Sequence, residues 1–361
     1  VDIPLALALT ALVLLIPANG FWLMRVSSFG ASRVNWLSTG ATAFWQQGYS
    51  ILAIVVGMFA VILPFAFLAA LSWVLLRVRA DRTAGVGRVF RWVKYLRPWT
   101  MLDVFLLGCF VAYSRLGAVA TVEVGIGGWC LVAAAFVSLI ALTQLDERTV
   151  WAALPHGDPL DGGERTIACT SCELIVADAA HASPCPRCGA RLHVRKPQAL
   201  PRTLALVIAG YVLYVPANIL PVMTLVKFGD ADTTTIMGGV LELISNDLWP
   251  LAVIVFLASI VVPLVKLTSL TWMLIATRLR SRAFIVGRTR LYRFIDAIGR
   301  WSNIDVFMGS VLLALLRFGS LTNIKPGAGL VAFAAVVMIS MTATVVFDAR
   351  LMWDAALRRP A

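Results

Sequence analysis

Four cysteines stand in two pairs, Cys169-x-x-Cys172 and Cys185-x-x-Cys188, with twelve residues between the pairs. Two such knuckles joined by a short hairpin can set four thiolates around one ion, and Gly189 suits a turn that points backbone N–H groups at sulfur. The favoured reading is a structural zinc ion in a closed four-cysteine site. Iron in a rubredoxin-like site is the alternative, because the spacing does not separate the two metals. His181 and His193 lie close by, but four thiolates already complete a tetrahedral shell. Cys109 and Cys130 fall in apolar runs, where cysteine is a small packing residue.

A second set of residues stands in the wrong solvent. Lys266 follows Pro263 by three positions inside a long apolar run, and Asp305 and Asp103 open two others. An ionised group at mid-membrane costs roughly 2.5–3.5 kcal/mol on insertion scales, so it needs a partner or a watery cavity. Lys266 can pair with Asp305, and Thr342 and Thr344 can add hydroxyls to that network. A structural ion pair that fixes helix register is the competing reading. Asn19 and Asn218, in Pro-Ala-Asn motifs, and the helix-breaking Pro64 and Pro263 are candidates for a portal or a break. For the two asparagines a purely structural helix ending is the stronger reading. No catalytic triad, paired carboxylates or nucleotide loop is present, so the chain does not read as an enzyme.

These residues are embedded in a very apolar chain. Of 361 residues 60% are apolar and 14% charged, with 31 Lys and Arg against 19 acids. That balance excludes a soluble enzyme, a disordered chain, a coiled coil and a disulfide-stapled secreted domain. Eight stretches are long enough to span a bilayer: 4–24, 48–76, 99–118, 126–145, 203–224, 248–276, 303–320 and 328–346. The second and sixth exceed the hydrocarbon thickness and carry Pro64 and Pro263, so they should bend or tilt. The first lacks the layout of a cleavable signal and is expected to be a true span. The basic residues gather in loops 77–97 and 278–300, in segment 146–202 and in the C-terminal tail. By the positive-inside rule that side is cytoplasmic, with both termini and the cysteine segment on it. A reducing cytoplasm disfavours disulfides. The +12 charge is thus a matter of topology, not of nucleic-acid binding.

The chain is also a tandem repeat. At an offset of 199, Ile16-Pro17-Ala18-Asn19 meets Val215-Pro216-Ala217-Asn218, Gly40 meets Gly239 and Pro64 meets Pro263. After a two-to-three-residue insertion in the basic loop the offset becomes 202. Trp99-Thr100-Met101-Leu102-Asp103-Val104-Phe105 then meets Trp301-Ser302-Asn303-Ile304-Asp305-Val306-Phe307, Arg115 meets Arg317, and Asp146-x-Arg148-x-x-Trp151 meets Asp348-x-Arg350-x-x-Trp353. An even number of spans per repeat makes the duplication parallel. The expected fold is an all-α polytopic membrane protein with eight spans in two parallel four-helix repeats. Each repeat adds a small extramembrane β element, expected from runs such as Ala118–Val124. The first module covers 1–148, a cytoplasmic ribbon 149–201 and the second module 202–361. Position 67, opposite Lys266, is Phe, so the halves are not equivalent and the second is expected to hold the functional centre.

The motifs Val215-Pro216-Ala217-Asn218-Ile219-Leu220-Pro221-Val222-Met223, Val262-Pro263-x-x-Lys266, Gly299-Arg300-Trp301-Ser302-x-x-Asp305-Val306-Phe307 and Phe347-Asp348-x-Arg350-x-x-Trp353-Asp354, with the ribbon before the second module, carry a resemblance. Together they resemble the paraquat-inducible protein A family over essentially the whole chain, most closely in its second half. The resemblance implies a bacterial inner-membrane protein that partners with a periplasmic MCE-domain tunnel protein and moves phospholipid between membranes. It also implies that Lys266, Asp305 and Thr342 form the polar network of the second module. Family members commonly carry a further ribbon before the first module. Here the sequence opens at Val1 on the first span, a departure expected to reflect a truncated start or a lost ribbon. The readings that compete with transport are an iron-binding redox protein and a passive anchor for the tunnel protein.

Overall fold

The computed structural model describes residues 1–28, 31–117, 120–154, 166–177, 183–227, 230–315 and 322–357. The first half runs α1 (Asp2–Gly20), β1 (Met24–Ser28), β2 (Ala31–Asn35), α2 (Thr39–Gln46), α3 (Ser50–Gly57), a π-helical turn (Met58–Ile62) and α4 (Leu63–Arg79). It continues through α5 (Val86–Leu96), a 3-10 turn (Arg97–Trp99), α6 (Leu102–Gly117), β3 (Thr121–Val124), α7 (Ile126–Gln144) and α8 (Glu147–Ala152). After a hairpin of β4 (Thr166–Ala168) and β5 (Ile175–Ala177) the same order recurs. It reads α9 (Ala199–Ile219), β6 (Met223–Lys227), β7 (Asp230–Thr234), α10 (Ile236–Ser245), α11 (Trp249–Phe256), a π turn (Leu257–Val261) and α12 (Val262–Arg278). The chain ends with α13 (Ile285–Ile298), a 3-10 turn (Gly299–Asn303), α14 (Ile304–Leu315), β8 (Thr322–Pro326), α15 (Ala328–Val346) and α16 (Arg350–Leu357).

Among the described residues seven helices are long and apolar enough to cross a membrane: Asp2–Gly20, Ser50–Arg79, Val86–Gly117, Ile126–Gln144, Ala199–Ile219, Trp249–Arg278 and Ala328–Val346. The remaining expected span, 303–320, contains the shorter α14, and residues 316–321 lie outside the described residues. Arg317 and Gly319, used in the repeat alignment, fall among them. The stretches 77–97 and 278–300 are not simple basic loops, because most of each is the helix α5 or α13. Val86, Phe90 and Val93 are buried on α5 at helical spacing, a stripe obscured in the sequence by the arginines between them.

Both expected bends have the same local cause. Proline cannot donate to the carbonyl four residues back, and its ring crowds that carbonyl. One wide turn precedes Pro64 and Pro263, and in the second the Val262 N–H reaches back five residues to Leu257 O. A π turn absorbs the misfit without breaking the helix. The Pro-Ala-Asn motifs end α1 and α9. The Asn19 and Asn218 side-chain amides donate to Leu15 O at 2.9 Å and Tyr214 O at 2.8 Å. The Phe21 and Leu220 N–H groups bond back to Pro17 and Pro216. The amides thus close the last turns of the helices.

Contacts group the chain into two compact units. One comprises Val1–Met24, Met58–Asp103 and Val124–Val194, in which α1 packs on α7 and α4. The other comprises Arg25–Gly57, Val104–Glu123 and Arg195–Ala361. Inside the second, α9 packs along α15, and α2 packs on α14. Its core gathers Val207, Leu270, Met273, Leu274, Ile295 and Phe347. Arg115 Nη2 donates to Gly239 O at 3.0 Å, and the Tyr49 hydroxyl donates to Pro326 O at 2.7 Å.

Two small sheets, ordered β2-β1-β3 and β7-β6-β8, give the expected β element in each half. In the second sheet β6 pairs antiparallel with both neighbours, Met223 facing Thr234 and Pro326. Each sheet leads into a helix whose first N–H groups are satisfied by the chain leaving an earlier helix. Gly125 and Gly127 donate to Leu23 O and Trp22 O, while Gly327 and Gly329 donate to Val222 O and Pro221 O. Such close backbone contact leaves no room for a side chain. A Cβ at Gly329 would stand 2.4 Å from Leu220 O. Gly329→Val is therefore expected to cost on the order of 1–3 kcal/mol, read as a lower thermal melting temperature of the purified protein. Unchanged melting would remove this role.

Candidate functional site

The ribbon is built by β4 and β5, which pair antiparallel from Thr166–Ala177 to Ala168–Ile175. β4 runs into the first knuckle, and an isolated antiparallel bridge between Pro184 and Arg191 flanks the second. Cys169 N–H donates to Leu174 O, and Glu173 N–H returns to Cys169 O with Glu173 at φ +59. In the second knuckle Cys185 N–H donates to Ala190 O, and Gly189 N–H returns to Cys185 O with Gly189 at φ +67. Both knuckles thus use a left-handed residue after the second cysteine, where glycine is the unstrained choice. All four sulfurs are buried and lie within 4.8 Å of one another, with Cys169–Cys188 and Cys172–Cys185 at 3.6 Å.

A tetrahedral ion with ~2.3 Å bonds to sulfur needs sulfur–sulfur edges of about 3.8 Å, so the four residues fit zinc. The separations are far longer than a disulfide bond of about 2 Å, and the cysteines are free. Hydrogen bonds from the Cys172 and Cys188 thiols hold Cys169 below the usual thiol range. The same sharing, first with Cys169, pushes Cys188 up to about 11. Four thiolates in one shell need the charge of a cation to coexist. A zinc ion there would cross-link the two knuckles, a structural role.

The ribbon is gripped by α5. Lys94 Nζ donates to Ser171 O at 3.0 Å and pairs with Glu147 at 2.9 Å. Arg97 joins the same carboxylate at 3.0 Å. Gly87 lies so close to the second knuckle that a Cβ there would fall 2.0 Å from Arg187 O, and the Arg88 stem covers Gly189. Phe90 packs on Trp151 of α8 at 4.9 Å between ring centroids. The Asp-x-Arg motifs begin α8 and α16: Asp146 accepts from Arg148 N at 2.9 Å and Asp348 from Arg350 N at 3.0 Å. Bonds from the Thr149 hydroxyl and Arg148 N–H hold the Asp146 carboxyl below the usual range.

Lys266 is 1% exposed on α12. Its amine lies over Gly299: a Cβ there would stand 2.5 Å from Nζ. Asp296 is a described carboxylate near enough to act on it electrostatically. Asp305 is the second residue of α14, and its side chain lies outside the described residues. Thr342 is half-buried on α15 and its hydroxyl donates to Met338 O at 2.8 Å, while buried Thr344 donates to Ser340 O. Ser259, Asn303 and Ser340 are also buried, and Ser259 Oγ finds no partner among the described residues. The first-half counterparts differ. Phe67 is buried at 3%, and Asp103 is exposed in the first turn of α6.

A model of the family described as paraquat-inducible protein A matches residues 1–155 and again 200–356. The chain belongs to the paraquat-inducible protein A family. It is 33% identical to Intermembrane transport protein PqiA of Escherichia coli strain K12, over 97% of this chain and 86% of that protein. It is 27% identical to Lipophilic envelope-spanning tunnel protein A of the same strain, over 97% and 81%. A Haemophilus influenzae protein named as a probable intermembrane transport protein is 26% identical over 85% and 75%. No solved structure matches significantly. With its long apolar helices, this member of the family is a multi-span membrane protein. The two matched stretches leave out most of the segment between the halves, which contains the cysteines.

Two residues that hold these sites carried a weak sequence signal. Gly299 was visible only as part of a motif, although its counterpart under the 202 offset is Arg97 and its neighbour Lys266 replaces Phe67. Lys94 looked like one topogenic charge among many. The family member is expected to purify with one zinc per chain and no visible-light chromophore, and Cys185→Ser should lose the metal by elemental analysis. A coloured iron-loaded protein would refute the zinc assignment. Gly87→Val should keep the metal but free the ribbon from α5, seen as faster limited proteolysis between residues 155 and 199. Unaltered cleavage would mean that α5 does not hold it.

Proposed function

We propose that this protein is the inner-membrane subunit of an MCE-type lipid transport system. In this reading it loads phospholipid into, or receives it from, a periplasmic MCE tunnel protein. Eight spans form two parallel four-helix modules, 1–148 and 202–361, with the zinc ribbon of 149–201 and both termini in the cytoplasm. Lys266, Asp305 and Thr342 make the polar network through which the second module acts. The observation that carries the proposal is Lys266: a lysine 1% exposed on an apolar helix, in a family whose named relatives are intermembrane transport proteins. A buried amine is costly in such a setting and marks a pathway more often than a scaffold. Gly299, which makes room for it, belongs to the same design.

The network is not a catalytic one; it offers a charge and hydroxyls to a headgroup or to a moving proton. The ribbon then acts as a cytoplasmic brace through α5. A photocrosslinking amino acid at position 266, in cells fed labelled phospholipid, is expected to give a lipid adduct, and one at 67 is not. The Lys266→Ala, Asp305→Asn double variant should reduce lipid transfer to background while the protein still accumulates and binds its partner. Transfer at the wild-type rate, or equal adducts at 67 and 266, would sink the proposal and leave a passive membrane anchor.

A further inference from the structure

The first turn of α13 carries a buried arginine that neither the ribbon nor the Lys266 site uses. Arg288 is 1% exposed. Its Nη2 donates to Ser281 O at 2.6 Å, while Nε and Nη1 are buried without a hydrogen-bond partner among the described residues. A guanidinium always carries its charge and presents five donors in a planar fork. Leaving part of that fork empty in a buried place is among the costlier arrangements in a protein. No carboxylate compensates among the described residues; burial alone acts on the group and lowers its pKa.

The position makes the cost worse. The bond to Ser281, which precedes the helix, shows that the side chain runs back toward the N-terminal end of α13. Helix N-termini are themselves electropositive and leave their first N–H groups unpaired. Here Phe284 is the N-cap residue and supplies no side-chain cap. A cation aimed at that end, with two donors vacant, lacks an anion.

The duplication shows that the fold does not require this charge. The buried positions 86, 90 and 93 of α5 correspond, at the 202 offset, to 288, 292 and 295 of α13. Val86 is 0% exposed where Arg288 stands in the second half. An aliphatic side chain fills the equivalent place in the first copy, so the arginine is an addition to a packing scheme that works without it.

The surroundings indicate where the anion comes from. Leu279, Phe284 and Val286 are 74%, 79% and 51% exposed, interleaved with exposed Arg278, the last residue of the spanning helix α12, and exposed Arg280 and Arg282 just after it. Exposed apolar side chains alternating with arginines at the end of a span suit the boundary between lipid tails and headgroups. We propose that Arg288 and the N-terminus of α13 bind the phosphate of a membrane phospholipid headgroup. The phosphate takes the two vacant donors as the turn bearing Ser281 shifts. That turn lies between Arg280 and Phe284, both left-handed at φ +51 and +53, and is a strained segment able to rearrange. This site is separate from the Lys266 network and does not rest on the transport reading.

The full chain in detergent is titrated with dioctanoyl phosphatidylglycerol, dioctanoylglycerol and inorganic phosphate, with binding read by native mass spectrometry and by the shift in melting temperature. Wild type should bind the phosphatidylglycerol at least about tenfold more tightly than Arg288→Val, and should discriminate against dioctanoylglycerol. Without ligand, Arg288→Val should melt at or above the wild-type temperature, because a buried unpaired charge has been removed. Arg288→Lys, which keeps the charge but not the fork, should also bind several-fold more weakly and keeps the test alive if the valine variant fails to fold. Equal lipid affinity in wild type and either variant overturns the proposal. So does equal binding of dioctanoylglycerol. Inorganic phosphate binding as tightly as the lipid, and lost in Arg288→Val, overturns the headgroup assignment and makes this a free-phosphate site.

Discussion

In hydrocarbon no water is available to satisfy a peptide group, so every backbone N–H and C=O must find its partner within the protein. The fold of this chain follows from how it meets that demand where a plain helix cannot. Pro64 and Pro263 would each leave a carbonyl unanswered and crowded. The preceding π turns move the hydrogen bonding to a five-residue step, as at Val262 to Leu257, and the helix continues. At the ends of α1 and α9 the last carbonyls lack helical partners, and the Asn19 and Asn218 amides add donors to Leu15 O and Tyr214 O. The first N–H groups of α7 and α15 would be orphaned too. They are taken by the carbonyls at 22–23 and 221–222, and the glycines at 127 and 329 exist so that backbone can meet backbone there.

Much of this was legible in the sequence because the demand leaves marks in residue type. The cysteine spacing marks the knuckles, and Gly189 marks the turn that closes the second. The prolines gave the positions of the wide turns, and β-prone runs beside the spans gave the two sheets. The offset between the halves anticipated the recurring order of elements. The Pro-Ala-Asn motifs read as helix endings for a reason visible in the fold: the two asparagine side chains are spent on carbonyls of their own helices.

What stayed hidden has a common physical reason: one residue type was serving two purposes. Arginine and lysine at the ends of spans set topology, and that role masked the others. The helices α5 and α13 were buried under such charges, although Val86, Phe90 and Val93 kept a helical stripe. Lys94, which clamps Ser171 and Glu147, looked no different from its neighbours. Arg288 looked like any other basic residue, and only its burial separates it from the exposed Arg290 and Arg293. Gly299 is the reverse case, a missing side chain whose meaning depends on a lysine thirty-three residues earlier.

These hidden residues also show how the duplicated halves parted. Under the 202 offset Lys94 faces Asp296, Arg97 faces Gly299 and Val86 faces Arg288; at 199, Phe67 faces Lys266. In the first half the helix after the basic turn spends its charges outward, on Ser171 and Glu147, and keeps an apolar inner face. In the second half two charges lie inside. Arg288 is buried, Lys266 is buried over a glycine, and Asp296 replaces the lysine that grips the ribbon. A second copy of α5 with its lysine and arginine intact would place a side chain at 299 where the Lys266 amine now sits. The amine and the glycine therefore go together, and the second half carries Asp296 and Gly299 where the first has Lys94 and Arg97. One copy became the brace and the other the place where charge is buried. That division explains why a protein built by duplication carries its buried lysine in one half alone.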